Sequence, residues 1–199
     1  MALEIELKFL DVDFESLGLR LVALGAVYRG RHVERNLVFD TPERTFKNSD
    51  MLLRLRTKIR RDGETAVLTL KRPPKGPVPD DVKVYDELET VVQDFDGMRG
   101  ILEGLGYDAA FRYEKMREEW TLDGVEICLD TMPFGNVAEL EGEREAIIAC
   151  AEKLGLSMET SSTGTYHDVN RDWRVAQGLP HDDNFCFSSS RLHELFEGL

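Results

Sequence analysis

Leu3-Glu4-Ile5-Glu6-Leu7-Lys8-Phe9 alternates without a break between apolar and charged side chains. Successive side chains of a strand point to opposite faces, so Leu3, Ile5, Leu7 and Phe9 share one face and Glu4, Glu6 and Lys8 the other. The same spacing returns down the chain in Arg54/Arg56, Thr69/Lys71, Glu87/Glu89, Lys115/Arg117 and Glu139/Glu141, each pair enclosing an apolar residue of opposite parity. In one strand alone, a charged face is ordinary solvated exterior. Taken as a set, these faces need a different partner, and the helices between them indicate which.

Cap and turn signals mark out the elements. Asp13 reads as the N-cap of a helix carrying Phe14, Leu17, Leu21 and Leu24 and stopped by Gly25. A second helix runs from Asp94 to Leu105 with Phe95, Met98 and Leu102 at helical spacing, and a third carries Ile147, Cys150, Ala151 and Leu154 before Gly155. A less regular helix spans 166–177. Strands are expected at 27–39, 51–60, 65–72, 82–92, 110–121, 125–131 and 136–142, with Asp62-Gly63 and Asp123-Gly124 as hairpin turns. Pro73–Pro79 is a loop, because four prolines in seven residues cannot sustain a ladder. Residues 1–178 read as one domain and 179–199 as a tail, in which Ser190 to Phe196 can form a short docking helix.

The amphipathic helices must cover the apolar strand faces, which leaves the charged faces pointing away from them. Antiparallel strands in such number tend to close, and closure puts the charged face inside. The expected fold is therefore α+β: a closed antiparallel β-barrel, a tunnel with helices packed outside. Because each unpaired buried ion costs several kcal/mol, an interior of about a dozen charges has to be a hydrated tunnel holding counter-ions or a ligand. Carboxylate clusters suit Mg²⁺ or Mn²⁺, while Arg and Lys suit phosphate oxygens. The combination points to metal-assisted phosphoryl chemistry. No G-x-x-x-x-G-K-[ST] occurs, so the cradle is not a P-loop and the side chains must do the gripping.

Composition bounds the partners. The 199-residue chain has a formal charge of −13, which argues against nucleic acid and anionic membranes. It has no run of about 18 apolar residues, and early charges interrupt any signal-like stretch, so the expected location is the cytoplasm. Cys128, Cys150 and Cys186 lack C-x-x-C spacing and the four histidines are scattered, which supports neither a disulfide framework nor a zinc site.

In sequence order these motifs resemble the CYTH superfamily, the triphosphate tunnel metalloenzymes, which includes class IV adenylate cyclases, thiamine triphosphatases and inorganic triphosphatases. Glu4-Ile5-Glu6-Leu7-Lys8 resembles its E-x-E-x-K signature, Phe39-Asp40-Thr41-Pro42 its F-D-T-P turn, Leu53-Arg54-Leu55-Arg56 its L-R-x-R strand and Leu70-Lys71 its T-L-K strand. Glu87-Leu88-Glu89, Lys115-Met116-Arg117, Asp130, Phe134-Gly135 and Glu139-Leu140-Glu141 follow in matching order, and Thr165-Tyr166 stands where the family often has Ser-Tyr.

The resemblance implies Mg²⁺ or Mn²⁺ as cofactor. It implies catalytic metal coordination by Glu4, Glu6, Glu139 and Glu141, with Asp130, Glu87 and Glu89 as further ligands or their supports. Lys8, Arg54, Arg56, Lys71, Lys115 and Arg117 would grip the phosphates of a small-molecule triphosphate such as tripolyphosphate, ATP or thiamine triphosphate. Hydrolysis is the first expectation, cyclisation of ATP to cyclic AMP and pyrophosphate the second, and non-catalytic binding of polyphosphate or nucleotide the third. Monomer and homodimer are both open. Arg54, Arg56, Lys115 and Arg117 are expected to face one another across the tunnel. Tyr166 and His167 are open to a role in orienting the attacking water but read first as a packed and a surface side chain; Arg29, Arg31 and Arg35 read as an exposed strand face, with Arg35 open to the tunnel mouth, Trp120 and Trp173 as packing anchors, and Asp40 and Thr41 as turn formers.

Overall fold

The structure, a computed structural model, describes residues 2–199. The alternating stretches form β1 (Ala2–Leu10), β2 (Val27–Asp40), β3 (Leu52–Arg60), β4 (Gly63–Arg72), β5 (Lys83–Val92), β6 (Asp108–Leu122), β7 (Val125–Met132) and β8 (Gly135–Glu141), followed by the two-residue β9 (Ser161–Ser162). Neighbours run in the order β5-β4-β3-β2-β6-β7-β8-β1, every pair antiparallel, and a β1–β5 pairing closes the ring. The charged parity faces inward, as the sequence requires.

β1 is the seam of the barrel. Ala2–Glu6 pairs with Lys83–Glu87 of β5, while Glu6–Leu10 pairs with Val137–Glu141 of β8 on the other edge. Where β5 leaves, β9 takes its place against Lys8 and Phe9.

Two hairpins show how register is set. Asp123 and Gly124 both have positive φ, 51° and 83°, and form the two-residue turn between Leu122 and Val125. Between β3 and β4 the turn lies one residue earlier than expected: Arg60 pairs with Gly63, so Arg61-Asp62 is the loop and Gly63 opens the strand. In this register Arg54 lies opposite Thr69 and Arg56 opposite Val67.

The helices are α1 (Phe14–Ala23), α2 (Phe95–Gly104), α3 (Arg144–Leu154), α4 (Tyr166–Ala176) and α5 (Ser189–Glu197). Asp13 caps α1 by accepting the Glu15 and Ser16 N–H groups. Leu17 and Leu21 of α1 and Ile147, Cys150, Ala151 and Leu154 of α3 bury the outer faces of β1, β7 and β8, through Leu7, Phe9, Ile127, Leu129 and Leu140. Phe95, Met98 and Leu102 of α2 cover Phe39, Leu53 and Leu55 on the far side.

A third apolar cluster sits inside one end of the barrel. Val38, Tyr113, Met132 and Val137 share the inward parity of the charged residues and pack with Phe134, Phe185 and the α4 residues Tyr166, Val169 and Trp173. Phe185 arrives from the segment after α4. β7 pairs with β6 only from Met116 onward, so the edge at Arg112–Glu114 is open, and this segment fills it. Phe185 N–H donates to the Arg112 carbonyl at 3.2 Å and Glu114 N–H donates to the Phe185 carbonyl at 3.1 Å. Among the described residues no helix is long and apolar enough to cross a membrane.

Candidate functional site

A cavity of about 650 Å³ runs through the barrel and is lined by charged residues of eight strands. The inner wall is a lattice in which charges of opposite sign answer one another. Lys8 contacts both Glu6 and, at 3.0 Å, Glu139. Arg117 clamps Asp130 through two hydrogen bonds of 2.8 and 2.6 Å and reaches Glu139 at 2.8 Å. Lys115 lies 3.1 Å from Asp130 and 3.5 Å from Glu34. Lys71 binds Glu4 and, at 3.1 Å, Glu87. Burial alone would raise the Glu139 carboxyl, but Lys8, Arg117 and Lys115 hold it well below the usual carboxylate range.

The four cations expected to face one another across the tunnel do not do so. β2 lies between β3 and β6, and its Glu34, fully buried, bridges Arg56 at 2.9 Å and Lys115. A carboxylate between the two cationic strands removes the repulsion that the sequence suggested. The interior is therefore less a set of loose ions in water than a paired network. Its orphan atoms sit together on β2 and β3: His32 Nδ1, Glu34 Oε2, Asn36 Oδ1, Arg54 Nε and Arg56 Nε are buried without a hydrogen-bond partner.

Two charges stand apart. Arg54 donates to the Tyr113 hydroxyl at 3.1 Å and to Thr69 at 3.5 Å, and among the described residues it has no carboxylate within ion-pair distance. Glu141 has no cation partner either: burial, then Glu4, Glu126 and Glu139, push its carboxyl up to about 8. Lys83 projects beside them, 3.9 Å from Glu6, and burial together with Lys8 and Lys71 lowers its ammonium to about 8 against the pull of Glu6.

Among the described residues no three His, Cys, Asp or Glu side chains converge closely enough to hold a metal ion as they stand. The donor chemistry nonetheless fits a hard cation: Glu4, Glu6, Glu139 and Glu141 lie on adjacent strands, Glu6 opposite Glu141, and offer only oxygen. The uncompensated Glu141 is the point at which added positive charge relieves most repulsion. Asp130, by contrast, is saturated by Lys115, Arg117 and the Tyr166 hydroxyl, and Glu89 is exposed, accepting only from Thr69.

Several lining residues escaped the sequence reading. Tyr166 does more than pack, since its hydroxyl donates to Asp130 and lies 2.9 Å from Glu139, with Lys8 and Lys115 each 5.1 Å from its ring centre. His167 is held by Asp183 at 2.6 Å, with little of its side chain exposed. His32, Glu34 and Asn36 form an inward i, i+2 run on β2, the very pattern used elsewhere; the arginines on its other face drew the reading outward. Lys83 and Tyr85 extend the β5 run of Glu87 and Glu89. Asp40 does shape a turn, accepting the Thr41, Phe46 and Lys47 N–H groups at 2.8 to 3.0 Å.

Residues 2–166 match the CYTH domain. This chain belongs to that family. The CYTH chain is 28% identical over 141 residues, 70% of its own length and 76% of the relative's, to a Methanocaldococcus jannaschii protein named provisionally as an adenylate cyclase. A Vibrio parahaemolyticus structure, also named provisionally as an adenylate cyclase, superposes with TM-score 0.73 at 22% identity, covering 84% of this chain and 97% of that one. The PH1012 protein of Pyrococcus horikoshii gives 0.67 at 26% identity, covering 82% and 96%. A Hippeastrum protein, described as a provisional adenylyl cyclase with a dominant triphosphatase activity, gives 0.60 at 18% identity over 92% of this CYTH chain and 99% of its own.

Proposed function

We propose that this protein is a divalent-metal-dependent enzyme acting on a triphosphate, and that it hydrolyses the terminal phosphoanhydride. The observation that carries the reading is the closed tunnel itself. It holds Arg54, which among the described residues has no carboxylate within ion-pair distance, and Glu141, which other carboxylates surround.

The basic residues suit a chain of phosphates. Arg54 and Arg56 offer guanidinium N–H groups, including the two orphan Nε atoms, and Lys8, Lys71, Lys115 and Arg117 surround them. A phosphate chain entering the lattice would exchange carboxylate partners for phosphate oxygens, so the pairs act as place-holders that keep the cations aimed. Glu4, Glu6, Glu139 and Glu141 would hold Mg²⁺ or Mn²⁺, which supplies Lewis acidity at phosphate oxygens when bound. The attacking water would approach in line with the terminal phosphorus. Water oxygen bonds to that phosphorus, the bridging P–O bond breaks toward the middle phosphate, and a carboxylate of β1 or β8 takes the water proton.

Cyclisation is the second reading, favoured by the adenylate cyclase names of the M. jannaschii and V. parahaemolyticus relatives. It uses the ribose 3′-hydroxyl in place of water and breaks the bond to the innermost phosphorus. Incubation with ATP and Mg²⁺ or Mn²⁺, with phosphate, pyrophosphate and cyclic AMP resolved, separates the two. Phosphate as the product supports hydrolysis, cyclic AMP with pyrophosphate supports cyclisation, and an inert mixture with every triphosphate overturns both.

A further inference from the structure

Asp183 carries its carboxylate into a group of basic side chains at the α4 end of the tunnel. His167 of α4 donates its Nε2–H to Oδ1 at 2.6 Å, His181 Nε2 lies 3.3 Å from the same oxygen, and Arg44 of the β2–β3 loop donates to Oδ2 at 3.2 Å. Burial would raise the Asp183 carboxyl, but the His167 bond, His181 and Lys47 hold it below its ordinary value. Arg44, Lys47 and His167 also line the tunnel cavity, so the carboxylate sits where an anion at this mouth meets its first cations.

The carboxylate is not what holds its own segment in place. On one side Asn170 of α4 donates to the Asp182 carbonyl at 3.1 Å. On the other, the Arg112 N–H donates to the Asn184 side chain at 2.9 Å, and Phe185 exchanges backbone bonds with Arg112 and Glu114. None of these bonds uses the Asp183 side chain, and a partly exposed ion pair such as Arg44–Asp183 contributes little to stability. The loop that presents Arg44 is held more firmly. Arg44 has φ 60°, a left-handed conformation that few residues other than Gly, Asn and Asp adopt. Asp40 keeps the loop in that shape through the Thr41, Phe46 and Lys47 N–H groups, and the Arg44 N–H donates to the Thr41 carbonyl at 2.9 Å. Strain of this kind persists where the surroundings fix it, and it gathers at ligand sites.

We propose that Arg44, Lys47, His167 and His181 form a phosphate-binding subsite at this mouth, and that Asp183 is an internal competitor which a phosphate group must displace. The subsite follows from the contacts, and the triphosphate reading enters only as one source of the phosphate. Of the other carboxylates lining this end, Asp40 is engaged in the turn, Asp168 is engaged by Thr165 and Arg171, and Asp50 stands exposed. Asp183 is thus the carboxylate that answers Arg44 and His167. It offers two oxygens and one charge, whereas a phosphate offers three oxygens and more charge to the same donors. The competitor comes from the segment that follows residues 2–166, the part of the chain that matches the CYTH domain.

Titration calorimetry of the full chain with orthophosphate and with tripolyphosphate, in separate arms, tests the subsite. Asp183→Asn keeps the shape and removes the competing charge, so it should tighten binding of at least one of the two anions on the order of tenfold. Adding Arg44→Gln should cancel that gain, which locates it at the mouth and not among the tunnel cations. A gain with orthophosphate identifies free phosphate as an occupant, and a gain confined to tripolyphosphate identifies a phosphate of the longer chain. The melting temperature should stay near the parent's, because the anchors at Asn170 and Arg112 remain; Asp183→Ser repeats the test without a side-chain amide. Unchanged or weaker binding of both anions in both variants overturns the proposal, as does a gain that survives Arg44→Gln. Failure of both variants to fold overturns it too, since the carboxylate is then a structural tie. If tripolyphosphate binds the parent and neither anion gains, the subsite falls and the triphosphate reading stands. If orthophosphate gains while tripolyphosphate binds no form of the protein, the reading falls and the subsite stands.

Discussion

Glu141 and Arg54 are tunnel residues that, among the described residues, have no ion-pair partner, and each gives a test. Glu141 titrates near 4.5 when unperturbed and at about 8 in the folded protein. Between those values the native state holds a proton that the unfolded chain has lost, so its contribution to stability is present below about 4.5 and lost as pH rises to about 8. In metal-free buffer above that pH, Glu141→Gln should therefore melt higher than the parent, by roughly 2–4 °C, the shift that about 1 kcal/mol produces in a chain of this size. A thermal scan series across pH reads it, and parallel curves would remove the assigned repulsion. For Arg54→Ala, KM for the triphosphate should rise more than kcat falls, because among the described residues no carboxylate within ion-pair distance competes for the guanidinium; steady-state kinetics separates the two. Glu6→Gln should lower turnover by roughly 10²-fold, about 3 kcal/mol in the transition state, while the exposed Glu15→Gln on α1 changes nothing. Equal behaviour of these two variants would refute the assignment of Glu6.

β2 is the element on which the sequence and the structure part company most. Its neighbours β3 and β6 announce their inner faces through Arg54/Arg56 and Lys115/Arg117, and β1 and β8 do so through their glutamates. β2 carries Arg29, Arg31 and Arg35 outward and His32, Glu34 and Asn36 inward, so both parities are polar and periodicity alone does not choose between them. Pairing on both sides settles it, since Glu34 lies opposite Lys58 and Lys115 in register while its side chain meets Arg56 and Lys115. Glu34→Gln leaves those two cations without their shared carboxylate, and breaking one partner of a buried set costs about 3–5 kcal/mol. Urea unfolding should show a loss of that order, and tripolyphosphate should restore part of it; an unchanged midpoint would mean that Glu34 bridges nothing that matters. The helices were easier to read, because Leu17/Leu21 and Ile147/Cys150/Leu154 each have a single apolar stripe.

For the whole molecule, local alternation was enough to give eight strands with a polar interior, and it could not give their spatial order. That order, with β2 between β3 and β6 and with β1 joining β5 to β8, depends on pairings between distant residues that leave no periodic trace. At smaller range, the turn falls at Arg61-Asp62 and not at the favourable Asp62-Gly63 dipeptide, with Arg60 paired to Gly63. Two measurements address the assembled tunnel. Tripolyphosphate at about 100 times its Kd should stabilise the protein by roughly 2.7 kcal/mol through mass action, visible as a higher Tm, and a melting point that ignores it would exclude a phosphate-binding interior. EDTA should abolish turnover, with Mg²⁺ or Mn²⁺ restoring it and Zn²⁺ failing to do so, since the donors are all oxygen; full activity in EDTA would remove the metal from the scheme.

The seam at β1 also bears on how the chain reaches its native state. Glu4 must find Tyr85 and Glu6 must find Glu141 before the ring is complete, whereas the β3–β4 and β7–β8 ladders each link residues separated by one short turn. Hairpins of that kind form early, while closure over such sequence distances is slow because loop entropy is lost before the contacts form. During synthesis β1, made before the other strands of the barrel, is thus among the last to be locked. Until residue 141 has emerged, the edge of β1 that pairs with β8 stays open to other chains, and its alternate charges, Glu4, Glu6 and Lys8, guard it against them.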